Sequence, residues 1–147
     1  MLYLLQLLIK LYFSGIKSIN TAKLARWLND EASQIPLIID TRSPEEYALS
    51  HIKSAQLIQL SNSDTVEILQ VSLNTSIVVY CSVGYRSAKV AQQLQQKGYK
   101  NVFNLNGGIF QWANEGKPIF KDKHPVKVVH PYNFFWGKLL KSKYHHY

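Results

Sequence analysis

The fold of this chain is decided by the stretch Ser76–Ala91, SIVVYCSVGYRSAKVA. Its first part, Ile77–Tyr80, is an apolar, β-branched run that predicts a strand buried on both faces of a sheet. The single cysteine of the chain, Cys81, follows at once, and small and apolar residues recur at helical spacing over Ser87–Gln96. The stretch therefore predicts a strand, a short loop that contains Gly84, and the start of a helix.

A loop in this position is suited to bind an anion, because backbone N–H groups and the positive end of the helix point towards it. The same field favours the thiolate form of Cys81, which is the nucleophilic form of a cysteine. Arg86 adds a permanent positive charge five positions after the cysteine. A free cysteine is usually a small buried apolar residue, but this position predicts a reactive thiol.

Two other segments carry recognisable patterns: Ile38–Ile58, IIDTRSPEEYALSHIKSAQLI, and Val102–Trp112, VFNLNGGIFQW. Together with VVYCSVGYRSA they resemble the rhodanese family. The cysteine segment has the Cys-x-x-Gly-x-Arg-Ser form of single-domain members, and the others resemble the Asp-x-Arg…Glu-[Tyr/Phe]…His-Ile-x-x-Ala and Val-x-x-Leu-x-Gly-Gly-x-x-x-Trp signatures. The three motifs occur in the family's order between Ile16 and Ile119.

The resemblance implies a sulfurtransferase that works through a persulfide on Cys81. The cysteine would accept sulfane sulfur from a small anionic donor such as thiosulfate or a persulfide, and a thiophilic acceptor, cyanide or a thiol, would remove it. A protein donor or acceptor is a further partner that this reading allows. The loop would bind the substrate and stabilise the charge of the persulfide. Its residues are Ser82, Val83, Gly84, Tyr85, Arg86 and Ser87.

Individual loop residues have alternative interpretations. Arg86 either binds the anionic donor, or orients the loop through an ion pair with Asp40 or a nearby acid. We expect Ser87 to cap the following helix and to donate to the loop. Asp40 and Arg42 match the family's Asp-x-Arg pair, and we interpret them as supporting residues that hold the active-site edge together. Serines replace the family's usual glycines at two positions, Ser50 and Ser54.

The alternation of strands and helices predicts an α/β fold, a single rhodanese-like domain with a parallel β-sheet and helices on both faces. Ligands of such sheets bind at the carboxyl ends of the strands, where Asp40 and Cys81 both fall. Strands are predicted at Ile16–Ile19, Pro36–Asp40, Ala55–Leu60, Ile77–Tyr80 and Val102–Leu105. Helices are predicted at Thr21–Asn29, Pro44–Ser50, 63–73, Ser87–Lys97 and Ile109–Asn114.

With 147 residues, 46% of them hydrophobic, the chain is long enough for one domain with a proper core. We expect that domain at residues 16–120, between an apolar N-terminal segment at 1–15 and a basic, aromatic tail at 121–147. The net charge is +8, and a single cysteine excludes an internal disulfide framework. A cytoplasmic location is therefore expected, and association with a membrane is left open.

The N-terminal segment and the tail lie outside the resemblance. Met1–Phe13 is shorter than the roughly 20 apolar residues of a membrane-spanning helix, and it lacks the pattern of a signal peptide. Leu4, Leu5, Leu8 and Leu11 share one helical face, which predicts a helix that packs on the domain or contacts a membrane surface or partner. The tail either packs back on the domain or a second copy, with a helical turn near residues 133–140, or binds a membrane or partner. We do not expect it to bind nucleic acid.

Two other functions compete with sulfur transfer. A non-catalytic docking or regulatory module is the first alternative, although such rhodanese-like domains lack the cysteine. The second is a phosphatase or arsenate reductase, but those signatures place five residues between Cys and Arg, and this chain has four. No cofactor is expected, since dinucleotide and P-loop motifs are missing from the sequence. No metal site is expected either, because the histidines show no ligand spacing.

Overall fold

The computed structural model describes residues 1–59 and 69–145. Within them, parallel strands form a five-stranded sheet in the order β1-β5-β4-β2-β3. The strands are β1 (Lys17–Ile19), β2 (Leu37–Asp40), β3 (Gln56–Leu57), β4 (Ser76–Tyr80) and β5 (Asn101–Leu105). The predicted α/β fold with a parallel sheet is confirmed, and β3 is shorter than predicted.

Helices connect these strands and extend beyond them. They are α1 (Leu2–Tyr12), α2 (Thr21–Asn29), α3 (Pro44–Leu49), α4 (Tyr85–Gln96), α5 (Gly108–Asn114) and α6 (Phe134–Gly137), followed by a 3-10 turn at Ser142–Tyr144. The start of α3 is a capping box, in which the side chains of Ser43 and Glu46 each accept from the other residue's backbone N–H. Residues 63–68 of the helix predicted over 63–73 lie outside the described residues, and residues 69–73 are not helical, so that part of the prediction is wrong.

The central strand β4 separates two apolar clusters. Ile77 and Val79 belong to the cluster that α4 completes, whereas Val78 and Tyr80 belong to the cluster that contains residues of α2 and α5. All four side chains are fully buried. The unbroken apolar run of β4 is thus explained by helices on both faces of the sheet, as the sequence predicts.

Helix α1 packs on the domain through one face. Leu2, Ile9 and Phe13 are buried, and Ile9 and Phe13 form a cluster with Ala88 of α4. Of the face predicted from the sequence, Leu5 is half-buried against the domain, whereas Leu4, Leu8 and Leu11 are exposed. In residues 1–59 and 69–145 no helix, α1 included, is long and apolar enough to cross a membrane.

The tail also packs on the domain. Ile119–Lys121 (β6) and His124–Val126 (β7) form an antiparallel hairpin, which the sequence analysis did not predict. A bridge between His51 and Phe120, with N–O distances of 2.8 and 2.9 Å, ties β6 to the segment after α3. Further along, Val129 and Leu140 are buried in the same cluster as Trp112. The tail is therefore continuous with the core, and its helical turn is α6.

Candidate active site at the end of strand β4

Cys81 lies directly after β4, at the carboxyl edge of the sheet. The register pairs Asp40 with Tyr80, so Asp40 and Cys81 lie at the same edge, as predicted. Cys81 is 1% exposed, and its Sγ accepts a hydrogen bond from the backbone N–H of Gly84 at 3.1 Å. Gly84 has a φ of 111°, a conformation that favours glycine and lets the loop turn back on the sulfur.

The start of α5 is hydrogen-bonded to the cysteine loop. The backbone N–H groups of Ile109 and Phe110 donate to the carbonyls of Cys81 and Ser82 at 2.9 and 3.0 Å. This approach requires glycine at position 108, because a Cβ there would lie 2.3 Å from the Cys81 oxygen. Close contact with the cysteine loop thus explains Gly108, the second glycine of the third motif, whereas a Cβ at Gly107 would lie 2.5 Å from the Cβ of Gln111.

Asn104 on β5 is a residue that the sequence analysis missed. Its Nδ2 donates to the carbonyl of Gly84 at 2.9 Å, and its Oδ1 accepts from the hydroxyl of Ser87 at 2.6 Å. The Ser87 Oγ also lies 3.5 Å from the sulfur of Cys81. The available signal was a polar residue within a strand that is otherwise mostly apolar.

Ser87 itself does not cap the helix, which corrects one prediction. Helix α4 begins two residues earlier, at Tyr85, and Gly84 is its N-cap. Ser87 therefore lies inside the first turn, where its side chain is buried and turned towards Cys81 and Asn104. The helix can begin earlier because Gly84, the residue directly before it, adopts a left-handed conformation.

Arg86 pairs with Glu46 and not with Asp40. Its Nη1 and Nη2 donate to the two carboxylate oxygens at 2.8 and 3.0 Å, and Nη2 also donates to the hydroxyl of Ser82 at 2.8 Å. Burial of Glu46 acts to raise the pKa of its carboxyl, but the bonds and charge of Arg86 outweigh it, and the pKa falls from 4.5 to about 2. Arg86 thus orients the loop through a nearby acid.

Asp40 and Arg42 form a second, fully buried ion pair with an Nη2–Oδ2 distance of 2.7 Å. The hydroxyl of Tyr80 donates to the same carboxylate at 2.7 Å, and Arg42 Nη2 donates to the carbonyl of Ser50 at 2.6 Å. Burial acts to lower the pKa of Arg42, but the adjacent Asp40 outweighs it and raises the pKa. These bonds join β2, β4 and the segment after α3.

The two serines at the family's glycine positions differ in conformation. Ser50 has a φ of −167°, which is extended backbone that any residue adopts. Ser54 has a φ of 66°, in the left-handed region that favours glycine. The departure from the family pattern therefore strains the backbone at Ser54 and not at Ser50.

A cavity of about 250 Å³ opens beside Cys81, and residues of the tail form part of its wall. Tyr132 stacks on Arg86, with the guanidinium carbon 4.3 Å from the ring centre. Trp136 of α6 is the second tail residue in the wall. The remaining lining residues are Ser82, Val83 and Tyr85. This position of the tail could not be predicted from the sequence motifs, which end before it.

These features define an α/β protein with a cysteine loop at the carboxyl edge of a parallel sheet. The rhodanese-like domain family matches residues 20–115, and the chain belongs to this family. A sulfurtransferase of Allochromatium vinosum is 32% identical over 71% of this chain and 94% of its own length. A rhodanese-related protein of Thermoplasma volcanium has a similar structure, with a TM-score of 0.61 and 28% identity over 72% of this chain and 99% of its own.

Other relatives are longer than the matched region. A probable adenylyltransferase/sulfurtransferase of Mycobacterium tuberculosis is 33% identical over 69% of this chain, but the match covers only 26% of that protein. For a Synechocystis relative with 30% identity over 71% of this chain, the match covers 58%. The family's domain therefore occurs both nearly alone and as one part of a larger protein.

Proposed function

We propose that this chain is a sulfurtransferase that carries sulfane sulfur as a persulfide on Cys81. The observation that carries the proposal is the position of the sulfur: it accepts the N–H of Gly84 at 3.1 Å, within a loop that opens to a cavity. A sulfur atom held in this way can exist as an anion, because the N–H group and the start of α4 stabilise negative charge.

The reaction would proceed in two displacements. In the first, the Cys81 thiolate attacks the outer sulfur of thiosulfate, an S–S bond forms, and sulfite leaves with the electron pair of the broken S–S bond. In the second, cyanide or a thiolate attacks the terminal sulfur of the persulfide, and the Cys81 thiolate is the leaving group. No net oxidation is needed, since sulfur of the same oxidation state passes from donor to acceptor.

The surrounding residues have separate roles in this proposal. The backbone N–H of Gly84 donates to the Cys81 sulfur and lowers the energy of its anionic forms, whereas the hydroxyl of Ser87 donates to Asn104 and lies 3.5 Å from the sulfur. Arg86 orients Ser82 and the loop, since both of its Nη groups already donate to Glu46 and Nη2 also donates to Ser82. Val83 and Tyr85 belong to the cavity wall and limit what reaches the sulfur.

A protein donor or acceptor is compatible with this site. Besides the Mycobacterium protein, a relative from Ogataea parapolymorpha is named adenylyltransferase and sulfurtransferase, and the match covers 23% of it. In such proteins the domain is joined to another activity, which supports exchange of sulfur with a protein partner. Thiosulfate as the donor and the cytoplasm as the location remain predictions.

The docking module is the competing function, and Cys81 distinguishes the two. A module that only binds a partner does not need a cysteine with a donated N–H and a cavity in front of it. A phosphatase is less well supported, since the loop has four residues between Cys81 and Arg86 and this arginine is bound to Glu46.

The intact mass of the reduced protein after incubation with thiosulfate tests the proposal. We expect a gain of one sulfur atom that cyanide removes, and no gain in the Cys81→Ser variant. If thiosulfate fails but a glutathione persulfide loads the cysteine, the reaction class holds and the donor changes. If neither donor loads Cys81, the docking module becomes the better explanation.

A further inference from the structure

Helix α1 is apolar on nearly its whole circumference. Gln6 and Lys10 are its only polar or charged side chains apart from tyrosines. At 100° per residue, the buried residues occupy one side, and the opposite half of the circumference is also apolar. The apolar residues on that outer side are Tyr3, Leu4, Leu7, Leu8, Leu11 and Tyr12.

This outer face is exposed on the described chain. Its four leucines are 53–67% exposed, and both tyrosines are exposed further. A helix that is apolar all round is normally covered on every side. Contiguous apolar surface of this kind marks a place where the protein meets a partner or a membrane.

Helix α6 extends the apolar surface. A shallow groove runs between the two helices, with Leu4, Leu5 and Leu8 on one side and Phe135, Trp136 and Leu139 on the other. Phe135 is 78% exposed, and the Nζ of Lys138 lies 5.9 Å from the centre of its ring. Trp136 also lines the Cys81 cavity, so the apolar surface adjoins the candidate active site.

The two chain segments that supply this surface carry charges of one sign. Residues 1–29 contain four of the 17 lysines and arginines, residues 123–147 contain five, and neither segment contains an aspartate or glutamate. These segments supply both helices of the surface. Lys10 lies on α1 beside the exposed face, and Lys138 lines the groove. An apolar surface with basic side chains beside it is complementary to a partner that has an apolar interior and an anionic surface.

We propose that the outer face of α1, together with Phe135, docks on the surface of an anionic lipid bilayer. Leucines and Phe135 would enter the boundary of the acyl chains, with α1 parallel to the surface. Tyr3 and Tyr12, near the two ends of the helix, suit the headgroup region, and the lysines reach the lipid phosphates with their long side chains. A bilayer fits better than a single partner helix, because the apolar surface extends beyond the groove to Leu7 and Leu11.

Flotation of the full chain with lipid vesicles tests this proposal. We expect the protein to float with vesicles of equal parts phosphatidylglycerol and phosphatidylcholine, to stay behind with pure phosphatidylcholine, and to be released by salt. The double variant Leu7→Asp/Leu11→Asp should lower the ratio of bound to free protein at least about tenfold. Both leucines are exposed, so the fold tolerates the change, and circular dichroism checks it.

A matched control separates the docking face from the change in net charge. Ile35→Asp/Val71→Asp alters two exposed apolar residues that lie on neither α1 nor the tail, by the same two charges. We expect it to lose much less binding than the α1 variant. Equal losses in the two variants, or no flotation with anionic vesicles, would overturn the proposal.

A second copy of the chain is the rival occupant. Light scattering of the protein without lipid would reveal a dimer, and a dimer that the Leu7→Asp/Leu11→Asp variant dissociates would also overturn the proposal. The Cys81→Ser variant should float like the unaltered protein. Vesicle binding and sulfur transfer therefore succeed or fail independently.

Discussion

The two sides of the Cys81 cavity are built in different ways. On the inner side, the cysteine loop accepts hydrogen bonds from α5 and β5 and donates one from Ser82 to Glu46, and its left-handed residue is Gly84. On the outer side, the tail contributes the aromatic rings of Tyr132 and Trp136, and of these two residues Tyr132 has a left-handed backbone, with a φ of 68°.

This difference indicates that separate parts of the chain determine the reaction at Cys81 and the access of other molecules to its sulfur. The hydrogen bonds that position the sulfur and its loop come from residues within the matched 20–115 region, whereas Tyr132 and Trp136 lie beyond it. Left-handed backbone costs a non-glycine residue roughly 1–2 kcal/mol, and such positions cluster at functional sites. We therefore expect the loop to determine the reaction, and the tail to determine which molecules reach the sulfur.

The largest expected effect is on the inner side, at Gly108. In Gly108→Ala the new Cβ would meet the backbone oxygens of Cys81 and Ser82 at 2.3 and 2.5 Å, so the loop must move. We expect a loss of stability of about 3 kcal/mol or more and loss of persulfide formation. Denaturant unfolding and intact mass measure the two effects.

Gly116→Ala is the matched control for that change. Gly116 also has a positive φ, 75°, but the nearest atom to its Cβ position is the Tyr144 hydroxyl at 4.0 Å. The control should cost only about 1 kcal/mol and leave persulfide formation intact. Equal costs at the two glycines would show that the contact between α5 and the loop is unimportant.

The next-largest expected effect is the pH dependence of the free energy of unfolding, which results from the low pKa of Glu46. Its pKa is about 2 in the folded chain against an ordinary 4.5, so the ionised carboxylate stabilises the fold above pH 4.5. This contribution, up to about 3 kcal/mol, is lost as the pH falls from 4.5 towards 2. Glu46→Gln should be less stable at neutral pH and show a flatter decline across that range.

Urea unfolding at a series of pH values measures this effect. The neighbouring variant Glu45→Gln is the control, since Glu45 is exposed. It should leave both the stability at neutral pH and the slope nearly unchanged. A Glu46→Gln protein with the same slope as the unaltered chain would contradict the role of the Arg86 pair.

A smaller effect on stability is expected at Ser54, which also has a left-handed backbone. Its side chain is exposed and its φ is 66°, so Ser54→Gly should raise the free energy of unfolding by about 1 kcal/mol. Ser54→Ala keeps the strained backbone and should bring no such gain. The urea midpoint with an unchanged slope is the measurement, and equal gains in the two variants would contradict strain as the cause.

The smallest expected effect lies on the outer side, at Tyr132. Tyr132→Ala removes the ring that covers Arg86 and widens the cavity. The ratio of the rate with a bulky acceptor such as glutathione to the rate with cyanide should therefore rise about threefold. Initial rates with the two acceptors measure the ratio. Phe135→Ala, which changes an aromatic outside the cavity lining, should leave the ratio unchanged. A ratio that Tyr132→Ala does not alter would contradict a selective role for the tail.

The sequence was informative wherever the relevant contacts are local. The strand, loop and helix around Cys81 are neighbours in the chain, and the carboxyl edge shared with Asp40 follows from parallel pairing. The start of α3 at Pro44 was predicted correctly, and the capping box of Ser43 and Glu46 that stabilises it spans only three residues. In each case one turn of helix or one strand contains the physical cause.

The partners of the site were harder to predict, because they come from distant parts of the chain. The sequence offered Asp40 or another acid for Arg86, and only the folded chain shows that the acid is Glu46, 40 residues away. The bonds of Asn104 cross from β5 to the loop, over 17 and 20 residues. Hydrophobic periodicity carries no information on such pairs.

By itself, the sequence determined the α/β fold, the parallel sheet and the position of the cysteine at its edge, since alternation, capping and a buried strand are local patterns. Tertiary structure alone decided which side of α1 is buried, because the helix is apolar on both sides and only the packing of Leu2, Ile9 and Phe13 on the domain selects one. It also decided that Tyr132 and Trp136 of the tail form part of the cavity wall, because the contact between Tyr132 and Arg86 joins distant parts of the chain and leaves no local sequence pattern.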